Sequence, residues 1–122
     1  MLKHSFIHTS WFTEYKKNGT FNHHTHLGPH SLTLNDRQYI PSFSLVYILH
    51  DENEGNATTF MNPSSMYVST ERTFQHDFHT SQIPEIKEGT VLVFPSSLYH
   101  CVQAVEKPGR LTIAINIFSS HV

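Results

Sequence analysis

The chain is short of charge, of cysteine and of helical periodicity, and each shortage excludes something. Asp, Glu, Lys and Arg make up 15% of its 122 residues, and the formal net charge is −2. No block of basic residues occurs, so a partner held chiefly through its phosphate backbone is not expected. A single cysteine, Cys101, rules out an internal disulfide and fits a reducing, cytoplasmic setting. The opening Met1-Leu2-Lys3-His4-Ser5-Phe6 has no long apolar run, so no signal peptide is expected. No stretch approaches the length of a membrane span. No ten-residue window sets apolar residues at helical spacing. There is no internal repeat, no low-complexity tract and no linker, and the length fits one domain, 1–122, with one core. What the chain has in abundance is histidine. There are eleven, dispersed rather than consecutive, so a purification tag does not explain them.

The pattern is that of β-structure almost throughout. From Ser5 to Tyr15, period two puts Ile7, Thr9, Trp11, Thr13 and Tyr15 on one face. Asn18-Gly19 marks a turn, Thr20 to His26 resumes an extended run, and Leu27-Gly28-Pro29 breaks it. His30 to Pro41 is polar and irregular and reads as a loop. Ser42 to Leu49 is apolar enough for a central strand. Shorter strands are expected at Ala57 to Met61, Met66 to Ser69, Thr90 to Phe94 and Tyr99 to Val105, and a long one from Arg110 to Phe118. Thr70 to Ile83, with His76 and His79, is polar and has no clear period. Short strands separated by turn signals indicate an all-β sandwich or jelly roll.

Two segments together describe a metal site. In an extended strand, His24 and His26 of His24-Thr25-His26 face the same way and can offer two imidazoles to one ion. His100, just beyond the strand that ends in Phe94-Pro95-Ser96, is the best-placed third ligand. Ten residues later Arg110 opens the last strand, sharing a face with Thr112, Ala114 and Asn116, and Phe118 closes that row. Leu111, Ile113, Ile115 and Ile117 form a wholly apolar row on the other face. Tyr47 shares a face with Phe43, Leu45 and Leu49 and is expected to bring its hydroxyl towards the anion that Arg110 holds. Arg37 and Arg72 fall in expected loops, where a rigid anion clamp is harder to hold. Three imidazoles with open positions, beside a fixed cation, suit a mononuclear non-haem iron enzyme with an acidic co-substrate.

These pieces, in this order, resemble the Fe(II)/2-oxoglutarate-dependent oxygenases, and among them a small bacterial and phage group with a His-x-His motif. The resemblance runs from Trp11 through His24-Thr25-His26, Ser44 to Leu49, Phe60-Met61-Asn62-Pro63 and Gly89 to Ser96, to His100 and Arg110 to Asn116. It implies a double-stranded β-helix, a cupin-like jelly roll. It implies Fe(II) on His24, His26 and His100. It also implies 2-oxoglutarate as co-substrate, its distal carboxylate paired with Arg110 and assisted by Thr112 and Tyr47. The reaction implied couples decarboxylation of 2-oxoglutarate to succinate with hydroxylation of a C–H bond. The chain departs from most of that superfamily at His26, where an acid is usual. Either three histidines hold the metal, or Asp36, the only acid between His30 and Pro41, supplies a ligand.

Two rivals stand beside this reading. A cupin-type three-histidine metalloprotein accounts for Gly89, Pro95 and His100, although Ser97 stands where a glycine is usual and no glutamate closely follows His26. A β-sandwich without catalysis, carrying incidental histidines, is the other. Arg110 favours the oxygenase over the cupin, and metal content separates both from the sandwich. The substrate expected is a small molecule or peptide, approached over the polar stretches His30–Pro41 and Thr70–Ile83. At this length the helices that flank many larger relatives are not expected, and a homodimer is the expected compensation. His76 and His79 read as residues of a solvated loop or lid, and Cys101 as a small core residue facing away from His100.

Overall fold

In a computed structural model that describes residues 2–27, 30–53, 58–61, 80–82 and 86–121, ten strands form. They are β1 (Leu2–Tyr15), β2 (Phe21–His24), β3 (Leu32–Leu34), β4 (Arg37–Tyr39), β5 (Pro41–His50), β6 (Thr58–Met61), β7 (Thr80–Gln82), β8 (Val91–Pro95), β9 (His100–Val102) and β10 (Arg110–His121). No helix occurs among the described residues. One four-stranded sheet has the order β1-β10-β5-β8 and the other β2-β9-β6-β7, and every pairing is antiparallel. Once the β3–β4 hairpin is set aside, eight strands remain, and the chain changes sheet at every step except between β6 and β7, which is the double-stranded β-helix. The expected jelly roll is the fold observed.

The core lies between the sheets. Ile48, Phe60, Ile86, Leu92 and Phe94 form one cluster, and Tyr15, Val102 and Val105 a second. In β10 the row Arg110, Thr112, Ala114, Asn116 and Phe118 faces inward and is buried throughout. Period two explains this row, and it makes the barrel interior polar along one wall.

Three local expectations change. The period-two row of β1 does not run unbroken, because the register slips between Ile7 and Thr9. That bulge turns Ile7 outward opposite Ile117, while Trp11, Thr13 and Tyr15 stay on the inward side. The stretch read as a loop between His30 and Pro41 contains the β3–β4 hairpin. Its turn residues Asn35 and Asp36 have φ of 50° and 59°, the left-handed pair that joins two strands tightly. Within the polar stretch Thr70–Ile83, Thr80–Gln82 forms β7 against β6. The expected strand Met66–Ser69, and His76 and His79, lie outside the described residues.

Candidate metal centre

Backbone pairing brings the three histidines together. His24 ends β2 and stands directly opposite His100, the first residue of β9. The strand stops there, and His26 sits in the bend that follows, fixed by its backbone N–H to the Ser96 carbonyl at 2.9 Å. One ring nitrogen from each of His24, His26 and His100 lies within 4.8 Å of the others. His26 is 1% exposed and His100 4%.

The outer nitrogens identify the tautomers. His24 Nδ1 is 2.6 Å from the Asn22 carbonyl, and His100 Nδ1 is 2.9 Å from the Leu98 carbonyl. A carbonyl only accepts, so both Nδ1 atoms carry the proton. His26 Nδ1 lies 2.8 Å from Asn116 Oδ1. That oxygen also accepts from the Ser44 hydroxyl at 3.0 Å, and the Asn116 amide nitrogen donates to Thr9 Oγ1 at 3.1 Å. All three rings, when neutral, therefore present a bare Nε2 lone pair inward. The Nε2 atoms of His24 and His26 are 3.2 Å apart. Two lone pairs at that distance repel unless a cation lies between them. Two imidazoles on one metal at about 2.1 Å would stand roughly 3.0–3.4 Å apart, so the spacing fits a shared ion.

Burial keeps the His26 and His100 rings neutral. Desolvation holds His26 below the ordinary histidine range, opposed by its bond to Asn116, and pushes His100 down to about 4. Aromatic rings make the walls. Phe94 and Phe60 pack on His100 at 4.8 and 5.7 Å between centroids, and Trp11 packs on His26 at 5.5 Å. His30 stacks on the other part of that wall, 4.8 Å from Trp11 and nearly parallel to it.

A narrow cavity runs from the histidines to Arg110. Its volume is about 40 Å³, and its lining includes Trp11, Tyr15, Thr58, Arg110, Thr112 and the three histidines. That is room for about three waters. Arg110 follows Gly109, whose φ of +88° lets the turn deliver the chain into β10. The Arg110 side chain is 1% exposed, and its Nε donates to Asp51 Oδ2 at 3.0 Å. Its Nη2 donates to Thr58 Oγ1 at 3.1 Å, its guanidinium lies 5.0 Å from the centre of the Tyr15 ring, and its Nη1 is buried without a partner. Burial pushes the Tyr15 phenol up, against the pull of Arg110.

Of the residues singled out from the sequence, His24, His26, His100, Arg110 and Thr112 all line this one cavity. Tyr47 does not. It pairs with Ile113 on the outward face of β5, while Ser44, Val46 and Ile48 face inward with the buried β10 row. Tyr15, opposite Arg110 on β1, takes the position expected of Tyr47. Asp36 sits exposed at the hairpin turn and is not in the histidine cluster. The sequence does not signal Asp51 as the partner of Arg110, nor the bond by which Asn116 holds His26. Cys101 is buried, and burial raises its thiol pKa, as for a core residue.

The fold places the chain among double-stranded β-helix proteins, and comparison with solved structures agrees. A 2OG-Fe(II) oxygenase family oxidoreductase from Burkholderia pseudomallei matches with TM-score 0.65 at 18% identity, over 97% of this chain and 46% of that one. HygX from Streptomyces hygroscopicus, bound to nickel, 2-oxoglutarate and hygromycin B, matches with TM-score 0.61 at 16% identity, over 93% of this chain and 55% of that one. The iron-bound form of HygX gives TM-score 0.59 at 16% identity. The chain thus spans about half the length of these proteins. No protein-family model and no curated protein matches it.

Proposed function

We propose that this chain is an Fe(II)/2-oxoglutarate-dependent dioxygenase domain that hydroxylates a small molecule. The observation that carries the reading is the pairing of a three-histidine cluster and a buried guanidinium in one cavity. At one end one ring nitrogen from each of His24, His26 and His100 converges within 4.8 Å of the others. At the other a buried guanidinium keeps one N–H pair unsatisfied. A buried unpaired donor costs about 1–3 kcal/mol, and a ligand carboxylate would satisfy it. A slender dicarboxylate that chelates a metal and ends on Arg110 completes both.

His24, His26 and His100 would hold the iron as neutral ligands. Bound there, iron with 2-oxoglutarate would supply the oxidising chemistry. The protein's own contributions are separable. Asn116 accepts the His26 Nδ1 proton and so aims Nε2 inward. Arg110, braced by Asp51 and Thr58, fixes the far carboxylate. Trp11, Phe60 and Phe94 exclude water around the ligands. Structures of the same fold support this assignment: HygX is known with nickel and 2-oxoglutarate bound and, separately, with iron bound.

A second cleft adjoins the centre through Leu27 and Ser97, which directly follow His26 and Ser96. Its volume is about 590 Å³, within the usual range for small-molecule sites. Arg37, Gln38 and Tyr39 of the hairpin form one wall, and Ser42, Ser97 and Ser119 belong to the barrel side. We assign substrate entry to this cleft. A cupin-type metalloprotein would share the three histidines but has no use for Arg110 and its free Nη1. The test is succinate formation from 2-oxoglutarate, dependent on Fe(II) and oxygen, without added substrate. Slow uncoupled turnover is expected. No succinate from protein shown to hold both iron and 2-oxoglutarate would make it a binding protein on this fold.

A further inference from the structure

The sheet β1-β10-β5-β8 has two faces, and only the inner one is used by the cavity. Its outer face is built from three complete cross-strand rows. Phe12, Ile113, Tyr47 and Val91 form the first, and Ser10, Ile115, Leu45 and Val93 the second. Ile7, Ile117, Phe43 and Pro95 form the third. Eleven of these twelve positions are apolar or aromatic, the twelfth is a serine, and none is charged. Polar groups begin at the border, where Glu14 and His50 flank Leu111 and Glu88 accepts from His50 Nδ1 at 3.0 Å.

This face is open. Phe12 is 75% exposed, Ile7 62%, Val93 61% and Val91 51%. With a large apolar side chain presenting about 150–250 Å², the rows expose on the order of 700 Å² of apolar surface. Monomeric proteins rarely show an apolar patch above roughly 300–600 Å². A standard protein interface takes about 800 Å² from each partner, with an apolar centre and a polar rim. The patch has that size and that arrangement.

We propose that the outer face of this sheet is a two-fold interface between two copies of this chain. A flat, twisted, charge-free sheet face complements itself. Two such faces stack about 10 Å apart with their rows interdigitated, and no charge is buried in doing so. The rows offer no charge for a charged partner to match, and their only side-chain donors are the hydroxyls of Ser10 and Tyr47. The two metal centres lie on the inner faces, so the inference stands apart from the proposed reaction.

The test is sedimentation velocity of the 122-residue chain from low to high micromolar concentration. Wild-type protein is expected at twice the single-chain mass, dissociating on dilution. Phe12→Glu on edge strand β1 and Val93→Lys on the opposite edge strand β8 each place a charge within an apolar row and are expected at single-chain mass. Circular dichroism and stoichiometric Fe(II) binding should match wild type, because both side chains point away from the core. Leu34→Lys, at an exposed hairpin position, should leave the dimer intact. Single-chain mass for the wild type at every concentration overturns the proposal. So does a dimer that survives both charged substitutions, or a ladder of larger species, which a closed two-fold contact does not produce.

Discussion

Replacing Arg110 by lysine separates anion binding from folding. The guanidinium does three things at once: its Nε holds Asp51, its Nη2 holds Thr58, and its Nη1 is left over. The side chains of Arg110 and Asp51 are 1% and 4% exposed. Arg110→Ala would leave that carboxylate buried and unpaired, at a cost of about 3–5 kcal/mol. A domain of this size has only about 5–15 kcal/mol in all, so the alanine variant confounds binding with unfolding. Lysine keeps the charge and reaches Asp51, but a single ammonium cannot also serve Thr58 and a ligand carboxylate. The loss is one charge-assisted hydrogen bond, about 1.5–3 kcal/mol. Binding of 2-oxoglutarate to the Fe(II)-loaded, oxygen-free protein should weaken roughly 10- to 150-fold by isothermal titration calorimetry, with metal stoichiometry unchanged. Equal affinity in the two proteins would refute the assignment of Arg110 as the anchor and favour the cupin reading.

Two further outcomes follow from the same geometry. Asn116→Ala removes the acceptor of the His26 Nδ1 proton and should weaken Fe(II) binding about 10- to 100-fold, measured by competition with a coloured chelator. In metal-free protein, burial depresses the folded-state pKa of His100 to about 4, below its ordinary 6.5. The unfolded chain therefore takes up the proton first as pH falls. Stability is fully present above about pH 6.5 and declines towards pH 4, by roughly 3 kcal/mol from this residue, and His26 acts in the same direction. Urea unfolding of the apoprotein across that range checks the sign, and a midpoint that rises on acidification would contradict it.

The last strand was the most legible part of the chain, for a physical reason. Its inward row is polar and its outward row apolar, so period two alone put Arg110, Thr112 and Asn116 on one wall. In β5 one row, Phe43, Leu45, Tyr47 and Leu49, is apolar or aromatic and the other, Ser42, Ser44, Val46 and Ile48, is mixed, and periodicity alone does not say which turns inward. Register decides it: Ile113 opposite Tyr47 sends the tyrosine outside. Asp51 lies 59 residues from Arg110, and no local pattern announces so distant a pair. The bulge that turns Ile7 outward comes from a register slip between Ile7 and Thr9, which alternation does not reveal. The hairpin was different. Asn35-Asp36 is a turn signal visible in the sequence, passed over because its strands are only three residues each and mostly exposed.

Anaerobic titration of the apoprotein with Fe(II) and then 2-oxoglutarate, followed by visible absorption, puts the metal and the anchor to one test. One Fe(II) per chain should bind in wild type and none in His100→Ala. Adding 2-oxoglutarate to the iron-loaded wild type should raise the weak charge-transfer band of the chelated keto acid. A chain that binds no iron, one that retains it without His100, or an iron-loaded chain that shows no band with saturating 2-oxoglutarate would contradict the assignment.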